Sequence, residues 1–305
     1  MDTIVTHVNV DLDAALSLAA ARVFIPGARE AKVVFLPANW NGEMEGEILF
    51  LDMEAGGRGI KGELEEDGRI HSCFKSIVET YAPEDAQKIL APMVLYVDTQ
   101  DMYGSAMEHL LPNIDWEMKE MLSSTNISAV LGSLKSFHNR NDKIICERME
   151  EILVGRLRSG RSRLRGEAEA DQIPLLGEGR VAVVLNARYT STTGVLFGKH
   201  GVQVVIYQND DGIGLIRRDS LDLRMDHPAF YEVVNQAGEG DEWFGHSAGF
   251  IFCRGSRKAP MESPSRVDPY ILAHVAIKLL DSKSEHEKEK MEGVISLLKN
   301  SLLKF

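Results

Sequence analysis

Three short apolar runs, separated by helix-forming stretches, most constrain what the first half of this chain can fold into. TIVTHV, AKVVFLP and GEILFLD, at residues 3–8, 31–37 and 46–52, have the apolar, β-branched composition of buried strands. DAALSLAAARVF and SCFKSIVETYA, at 13–24 and 72–82, are typical of helices. Strands that alternate with helices predict an α/β fold with a mostly parallel sheet flanked by helices.

The second half predicts a separate, smaller mixed α/β domain. Its strand candidates, VAVVLN, GVQVVIYQNDDG and IGLIRRD, are joined by Asn, Asp and Gly turns. Between the halves the chain becomes helical and highly charged. We therefore expect a metal-binding domain over 1–150, a charged helical linker over 151–178, and a substrate-binding domain with C-terminal helices, broken near Ser284, over 179–305.

Composition narrows the classes of function. With 44% hydrophobic and 26% charged residues the chain can fold, and its net charge of -12 argues against sequence-independent binding to duplex DNA. Three scattered cysteines, without CxxC spacing, favour reduced thiols in a cytoplasmic protein. No apolar run approaches the roughly 20 residues that cross a bilayer, and no secretory leader is visible, so we expect no membrane association.

Four candidate metal ligands directly follow predicted strands. His7, Asp11, Asp13 and Asp52 come where parallel strands end, and ligands gather at that edge of a sheet. An imidazole nitrogen and carboxylates suit Mn²⁺ or Mg²⁺. The alternative is that an aspartate only caps the following helix and the histidine only donates to the backbone. A further carboxylate, Asp98, ends the apolar run MVLYVD.

Together these features resemble the DHH phosphoesterase superfamily. The resemblance rests on H-x-x-x-D-x-D at His7, Asp11 and Asp13, on the aspartates at 52 and 98, and on the later glycine/histidine loop GHSAGFI. The order of segments is similar to that of the RecJ-like and MYG-type exonuclease branch. This resemblance implies two divalent cations, with Mn²⁺ the first expectation and Mg²⁺ the second. It also implies the ligands: His7 and Asp11 for one ion, Asp13 and Asp98 (or Asp101 instead) for the other, and Asp52 as the bridge.

One part of the family pattern is missing. The Asp-His-His triplet that gives the family its name does not occur between Asp52 and Asp98, where His71 is the only histidine. Either His71 replaces the missing ligand and shares the catalytic role with Asp52, or it opens the following helix. In the second case GGRGIKG, at 56–62, stands where the triplet belongs and the metal site is depleted.

The second domain contributes a candidate phosphate-binding loop. Gly245, His246, Ser247 and Gly249 resemble the phosphate-contacting loop of the DHH-associated domain, and Arg217 offers a guanidinium fork that matches a phosphate. The alternatives are a tight turn between strands and a solvated strand end.

The resemblance therefore predicts a metal-dependent phosphoesterase that works in a cleft between two domains. Expected partners are a short single-stranded oligonucleotide or a small phosphorylated ligand, and a second copy of the chain, since the family often pairs. The alternative is a catalytically degenerate member that binds nucleotide or oligonucleotide without hydrolysing it. A shared fold with an unrelated interaction role is the third interpretation, because fold does not determine function.

Overall fold

A computed structural model describes residues 1–53, 59–60 and 70–282 of the chain. The chain divides into two compact units, Met1–Arg161 and Ser162–Phe305. Most of the GGRGIKG segment lies outside the described residues, as does the segment beyond 282 where we expected the last helix to be broken. The finer assignment of roles to 1–150, 151–178 and 179–305 stays a prediction.

The first unit has a parallel sheet with helices around it, which confirms the predicted α/β class. Among the described residues its strands lie in the order β2-β1-β3-β4, and each neighbouring pair is parallel. The strands are β1 (Thr3–His7), β2 (Lys32–Leu36), β3 (Ile48–Leu51) and β4 (Gly59–Ile60). The helices are α1 (Leu12–Phe24), α2 (Cys73–Tyr81), α3 (Glu84–Tyr103), α4 (Ala106–Leu110), α5 (Trp116–Thr125), α6 (Ile127–Phe137) and α7 (Asp142–Ala170).

Helix α1 is buried on nearly every side because its residues are small and apolar. Every residue from 12 to 21 is buried, including two polar ones, Asp13 and Ser17. Alanine packs closely and costs no side-chain entropy in a helix, so the helix can sit tightly against its neighbours. This burial determines the surroundings of any polar side chain on α1.

Helix α7 is amphipathic and continues through the point where the two units divide. Its buried residues in the first unit follow helical spacing, and they are Ile145, Cys146, Met149, Leu153 and Leu157. Charged residues occupy its other faces. No helix among the described residues is both long and apolar enough to cross a membrane.

The second unit has a mixed sheet, as predicted. Among its described residues the strand order is β5-β6-β7-β8-β10-β9; β6 and β7 are parallel, and the other pairs are antiparallel. Residues 269–282 are helical and bury Leu272, Ala273, Ala276 and Leu280 in the core of this unit. The elements are β5 (Leu175–Leu176), β6 (Val181–Leu185), α8 (Thr192–Gly198), β7 (Val204–Gln208), β8 (Gly212–Arg217), α9 (Pro228–Gln236), β9 (Phe244–Gly245) and β10 (Ile251–Gly255).

Two glycines of α7 give a matched test of its packing against α3. A Cβ at Gly160 would lie 2.3 Å from Cγ2 of Ile89 and 3.1 Å from its Cβ, whereas a Cβ at Gly155 meets no described heavy atom within 4 Å. We expect Gly155→Ala to raise the free energy of unfolding by up to about 1 kcal/mol through helix propensity. Gly160→Ala should lower the free energy of unfolding by about 1 kcal/mol net, because overpacking against Ile89 costs more than the gain in helix propensity. Chemical denaturation measures both, and equal stabilisation by the two variants would contradict this packing.

Candidate metal centre

The parallel pairing of β1 with β3 brings three of the predicted ligands together. His7 is the last residue of β1, Asp52 directly follows β3, and Asp11 precedes α1. His7 Nε2 lies 3.3 Å from Asp52 Oδ2 and 3.6 Å from Asp11 Oδ2. Among the described residues these three form a group whose ligand atoms all lie within 4.8 Å of one another.

The donor set fits a divalent cation. One imidazole nitrogen and two carboxylates are ligands that Mn²⁺ and Mg²⁺ accept. In an octahedral shell with bonds of about 2.1 Å, adjacent ligand atoms are about 3 Å apart. The separations of 3.3 and 3.6 Å around His7 Nε2 are close to that spacing. Small side-chain movements would therefore let His7, Asp11 and Asp52 hold one ion.

Asp11 serves as a helix cap and as a member of this group at the same time. Its Oδ1 accepts a hydrogen bond from Ala14 N at 2.9 Å, which caps α1. Its Oδ2 is the atom that faces His7. The two roles of Asp11 left open by the sequence are therefore compatible, because each uses a different oxygen.

Asp52 has an uncommon backbone conformation. Its φ is +52°, in the left-handed region that aspartate tolerates better than most residues. Its N–H donates to Ile60 O at 3.1 Å, so β4 holds the backbone in place. A strained residue that also carries a candidate ligand is a reasonable starting point for a functional hypothesis.

The carboxylate of Asp52 also changes the acidity of His7. Its hydrogen bond to the imidazole raises the pKa of His7 to about 9, although burial acts in the opposite direction. A histidine must be neutral on the nitrogen that binds a metal ion. Binding of a cation here would consequently displace a proton from His7.

Asp13 is not a member of this group, and it holds the start of α2. Its Oδ2 accepts from Cys73 N at 2.8 Å, and its Oδ1 accepts from Phe74 N at 2.8 Å and from Ser17 Oγ at 3.2 Å. Burial and the charge of Asp52 raise the pKa of Asp13 to about 8, against the two amide donors that lower it. The metal-ligand role of Asp13 stays a prediction, and its role as a buried anchor of α2 is visible.

Asp98 ends its apolar run in the sequence, but it does not end a strand. It lies inside α3, which continues to Tyr103. Its Oδ1 accepts from Ser72 N at 2.8 Å, and its Oδ2 lies 2.6 Å from His71 Nδ1. Asp98 is thus a second buried carboxylate at the start of α2. Its alternative, Asp101, lies in the same helix, near enough for its charge to raise the pKa of Asp13.

His71 shows features of both roles left open by the sequence. It directly precedes Ser72, whose side chain caps α2 by accepting from Lys75 N at 3.2 Å. It is therefore at the opening of that helix. Its imidazole also contacts Asp98 and lies 3.1 Å from Lys75 Nζ. Replacement of the missing metal ligand by His71 stays a prediction.

In the second unit, the glycine/histidine loop is a tight turn that leads into β10. His246 N donates to Ile251 O, Gly249 N to His246 O, and Ala248 N to His246 Nδ1. Gly249 has a φ of +68°, which explains the glycine there. These contacts show the turn that also contains Gly245 and Ser247. A phosphate-binding role for the loop stays a prediction.

Arg217 lies beside this turn because β8 pairs with β10. Its N–H donates to Phe250 O at 3.0 Å. Its Nη1 donates to Arg218 O at 3.0 Å and to Asp219 O at 2.9 Å. The guanidinium therefore supports the chain that follows β8, and its expected phosphate contact stays a prediction.

The sequence did not predict one contact of residues 8–10, which we call the ligand loop. The N–H groups of Asn9 and Val10, between His7 and Asp11, both donate to the carboxylate of Asp142. No local pattern indicates a pairing across more than a hundred residues. The only signal of this contact in the sequence was that Asp142 is a polar residue at the start of a predicted helix.

Comparison with known proteins gives no family for this chain. No family model matches it, and no curated protein matches it. Solved structures that it resembles include RecJ from Thermus thermophilus in complex with Mn²⁺, at 12% identity and a TM-score of 0.26 over 84% of this chain and 50% of that chain. The same RecJ in complex with Mg²⁺ gives 14% identity and a TM-score of 0.24 over 84% of this chain and 47% of that chain.

A third solved structure, exonuclease RecJ bound to manganese, gives 11% identity and a TM-score of 0.26 over 91% of this chain and 88% of that chain. The present chain spans about half the length of the two Thermus RecJ chains. At these TM-scores and identities the similarities do not establish membership of the DHH superfamily, and they carry no argument about activity.

Replacing Asp13 and Asp11 separately should distinguish a buried anchor from an exposed cap. Asp13→Ala leaves two buried amide groups of α2 without their acceptor, so we expect a loss of about 2–4 kcal/mol in the free energy of unfolding. Asp11→Ala removes the cap of α1 and an exposed contact with His7, and it should cost about 1 kcal/mol. Chemical denaturation of metal-free protein provides both values. A cost for Asp13→Ala no larger than that for Asp11→Ala would contradict the anchoring role.

The stability of the metal-free protein should depend on the protonation of His7. Its pKa is about 9 in the folded protein, against 6.5 for an unperturbed histidine, so the protonated imidazole stabilises the fold. This contribution is fully present below pH 6.5 and is lost as the pH rises through about 9. The difference in unfolding free energy between wild type and His7→Gln should therefore shrink over that interval. A difference that grows with pH would refute the assignment.

Proposed function

We propose that this protein is a divalent-metal-dependent phosphoesterase whose first unit binds the metal. The observation that supports this most directly is the group formed by His7, Asp11 and Asp52 at the carboxyl edge of the parallel sheet. A bound divalent cation supplies Lewis acidity toward a phosphoryl oxygen. The sequence motif that carries these residues resembles that of the DHH phosphoesterases and gives the reaction class.

Each of the three residues has a distinct task in this proposal. Asp52 directly follows β3 and contacts His7, so it is the central ligand. Asp11 presents Oδ2 while its Oδ1 remains on the helix cap, which limits how far the carboxylate can rotate. His7 contributes Nε2 after losing its proton, and its Nδ1 lies 3.0 Å from Val8 O, which orients the ring.

For the substrate we propose a phosphodiester bond in a short single-stranded oligonucleotide or a small nucleotide. The net charge of -12 disfavours extended contact with duplex phosphates. A cation in an acidic site still attracts one phosphate group locally. We propose Mn²⁺ as the metal first, with Mg²⁺ second, because an imidazole ligand suits Mn²⁺ better than Mg²⁺.

One observation favours a second function, in which the protein binds a phosphorylated ligand without hydrolysing it. Asp13 and Asp98, the expected ligands of a second ion, direct their oxygens to Ser72, Cys73 and Phe74 at the start of α2. Within the described part of the chain, three ligands gather at one place. A single ion would bind a phosphate but would lack the second clamp of a two-metal mechanism.

Asp52→Asn tests the proposed centre. The change keeps the size of the side chain but removes the charge shared with His7 and the cation, so we expect Mn²⁺-dependent hydrolysis to fall by at least about 100-fold. Asp115→Asn is the matched control, because Asp115 only caps α5, and asparagine caps equally well. Hydrolysis would be followed on a labelled oligoribonucleotide, a cyclic dinucleotide and a generic phosphodiester. If Asp52→Asn hydrolyses its substrate as fast as Asp115→Asn does, the assignment is wrong.

Direct titration of Mn²⁺ into the metal-free protein separates the two functions. Metal binding together with turnover supports the phosphoesterase. Metal binding with retained nucleotide binding and no turnover under Mn²⁺ or Mg²⁺ supports the non-hydrolysing protein. Absence of metal binding to wild type overturns both.

A further inference from the structure

The loop that joins β1 to α1 carries a candidate ligand at each end. His7 precedes it and Asp11 follows it, so the conformation of only three residues, 8–10, sets the distance between them. Asn9 has a φ of +56°, in the left-handed region. Val10 is fully buried. A short loop with such a conformation needs contacts from elsewhere to hold it.

The Val8 N–H donates to Leu36 O at 2.8 Å, and the other two amides of the loop are held by one carboxylate. Asp142 Oδ2 accepts from Asn9 N at 2.7 Å, and its Oδ1 accepts from Val10 N at 3.1 Å. Two consecutive amides thus donate to different oxygens of one side chain, which constrains both the position and the direction of the loop. Hydrogen bonds to an ionised group are stronger than neutral ones.

Asp142 is well placed to hold the loop. It is the first residue of α7, where the helix dipole favours a negative charge. It is not needed to cap that helix, because Asn141 Oδ1 already accepts from Ile144 N at 3.2 Å. Nearby on the same helix, Ile145 is fully buried, and Glu150 pairs with Arg22 of α1 at 3.3 Å. The first turns of α7 are therefore held against the unit.

We propose that Asp142 is a positioning residue of the metal centre. By holding the loop amides it keeps His7 Nε2 and Asp11 Oδ2 3.6 Å apart, which is close to the spacing that a single cation requires. The inference rests on the proposed function, since it concerns the same ligands. Residues that orient metal ligands without touching the metal typically change its affinity by about 10- to 100-fold.

The test compares three variants of the full chain. Asp142→Ala removes both acceptors, and Asp142→Asn keeps one carbonyl acceptor. Asn141→Ala weakens the start of the same helix but leaves the loop contacts intact. The readouts are the Mn²⁺ dissociation constant, amide hydrogen exchange at Asn9 and Val10, and thermal stability.

We expect Asp142→Ala to weaken Mn²⁺ binding about 10- to 100-fold and Asp142→Asn to have a smaller effect. Asn141→Ala should leave the affinity unchanged within about threefold even where its thermal stability falls, since it does not touch the ligand loop. An unchanged affinity in Asp142→Ala overturns the proposal. So does an equal loss in Asn141→Ala, because general weakening of α7 would then explain the effect.

Amide exchange separates failure of this inference from failure of the proposed function. If wild type binds Mn²⁺, faster exchange at Asn9 and Val10 in Asp142→Ala, but not in Asn141→Ala, links the lost affinity to the loop. Unchanged exchange at both amides overturns the positioning role even if activity is present. If wild type binds no Mn²⁺, the metal centre itself is wrong and the positioning role falls with it. Should Asp142→Ala fail to fold, Asp142→Asn provides the same comparison.

Discussion

The parallel pairing of β1 with β3 is the constraint on which the candidate centre depends. The two strands pair in parallel, with Val5 opposite Phe50, so both reach the same edge of the sheet. His7 and Asp52 therefore arrive together although 45 residues separate them. Hydrophobic burial supports this pairing, since Val5, Phe50 and Met53 belong to one core cluster. The positions of His7 and Asp52 at this edge thus depend on the apolar residues that hold β1 and β3 in register.

An edge with this many carboxylates must limit their mutual repulsion. Asp13 and Asp98 do so by accepting backbone N–H groups at the start of α2, where the helix dipole also favours negative charge. The repulsion around Asp52 is limited by His7, whose raised pKa keeps a positive charge on the imidazole beside that carboxylate. Burial is the main cause of the raised pKa of Asp13, and the charges of Asp52 and Asp101 raise it further, which reflects the residual repulsion. A divalent cation at His7, Asp11 and Asp52 would relieve the same repulsion.

Local patterns in the sequence predicted the strands, because a buried strand needs a short apolar run. They also indicated the candidate ligands that follow the strands, because a helix needs a hydrogen-bond acceptor at its start. Asp98 was misplaced for a physical reason. Periodicity cannot distinguish a short apolar run such as MVLYV from a buried helix, and here the run belongs to α3. The contact of Asp142 with Asn9 spans 133 residues, so only tertiary packing creates it. No spacing rule predicts that the two oxygens of one aspartate have separate partners, as they do in Asp11, Asp13, Asp98 and Asp142.

In the proposed centre a proton and a metal ion would compete for His7, and this competition would link stability to function. In the metal-free protein the proton on His7 stabilises the fold, and this stabilisation disappears as the pH rises through about 9. Metal binding follows the opposite trend, because the same proton must leave before Nε2 can act as a ligand. The cation would thus replace the lost positive charge beside Asp52 in the pH range where the proton no longer supplies it. Such a centre would have a positive charge beside Asp52 on both sides of that pH, as a proton on His7 below it and as a metal ion above it.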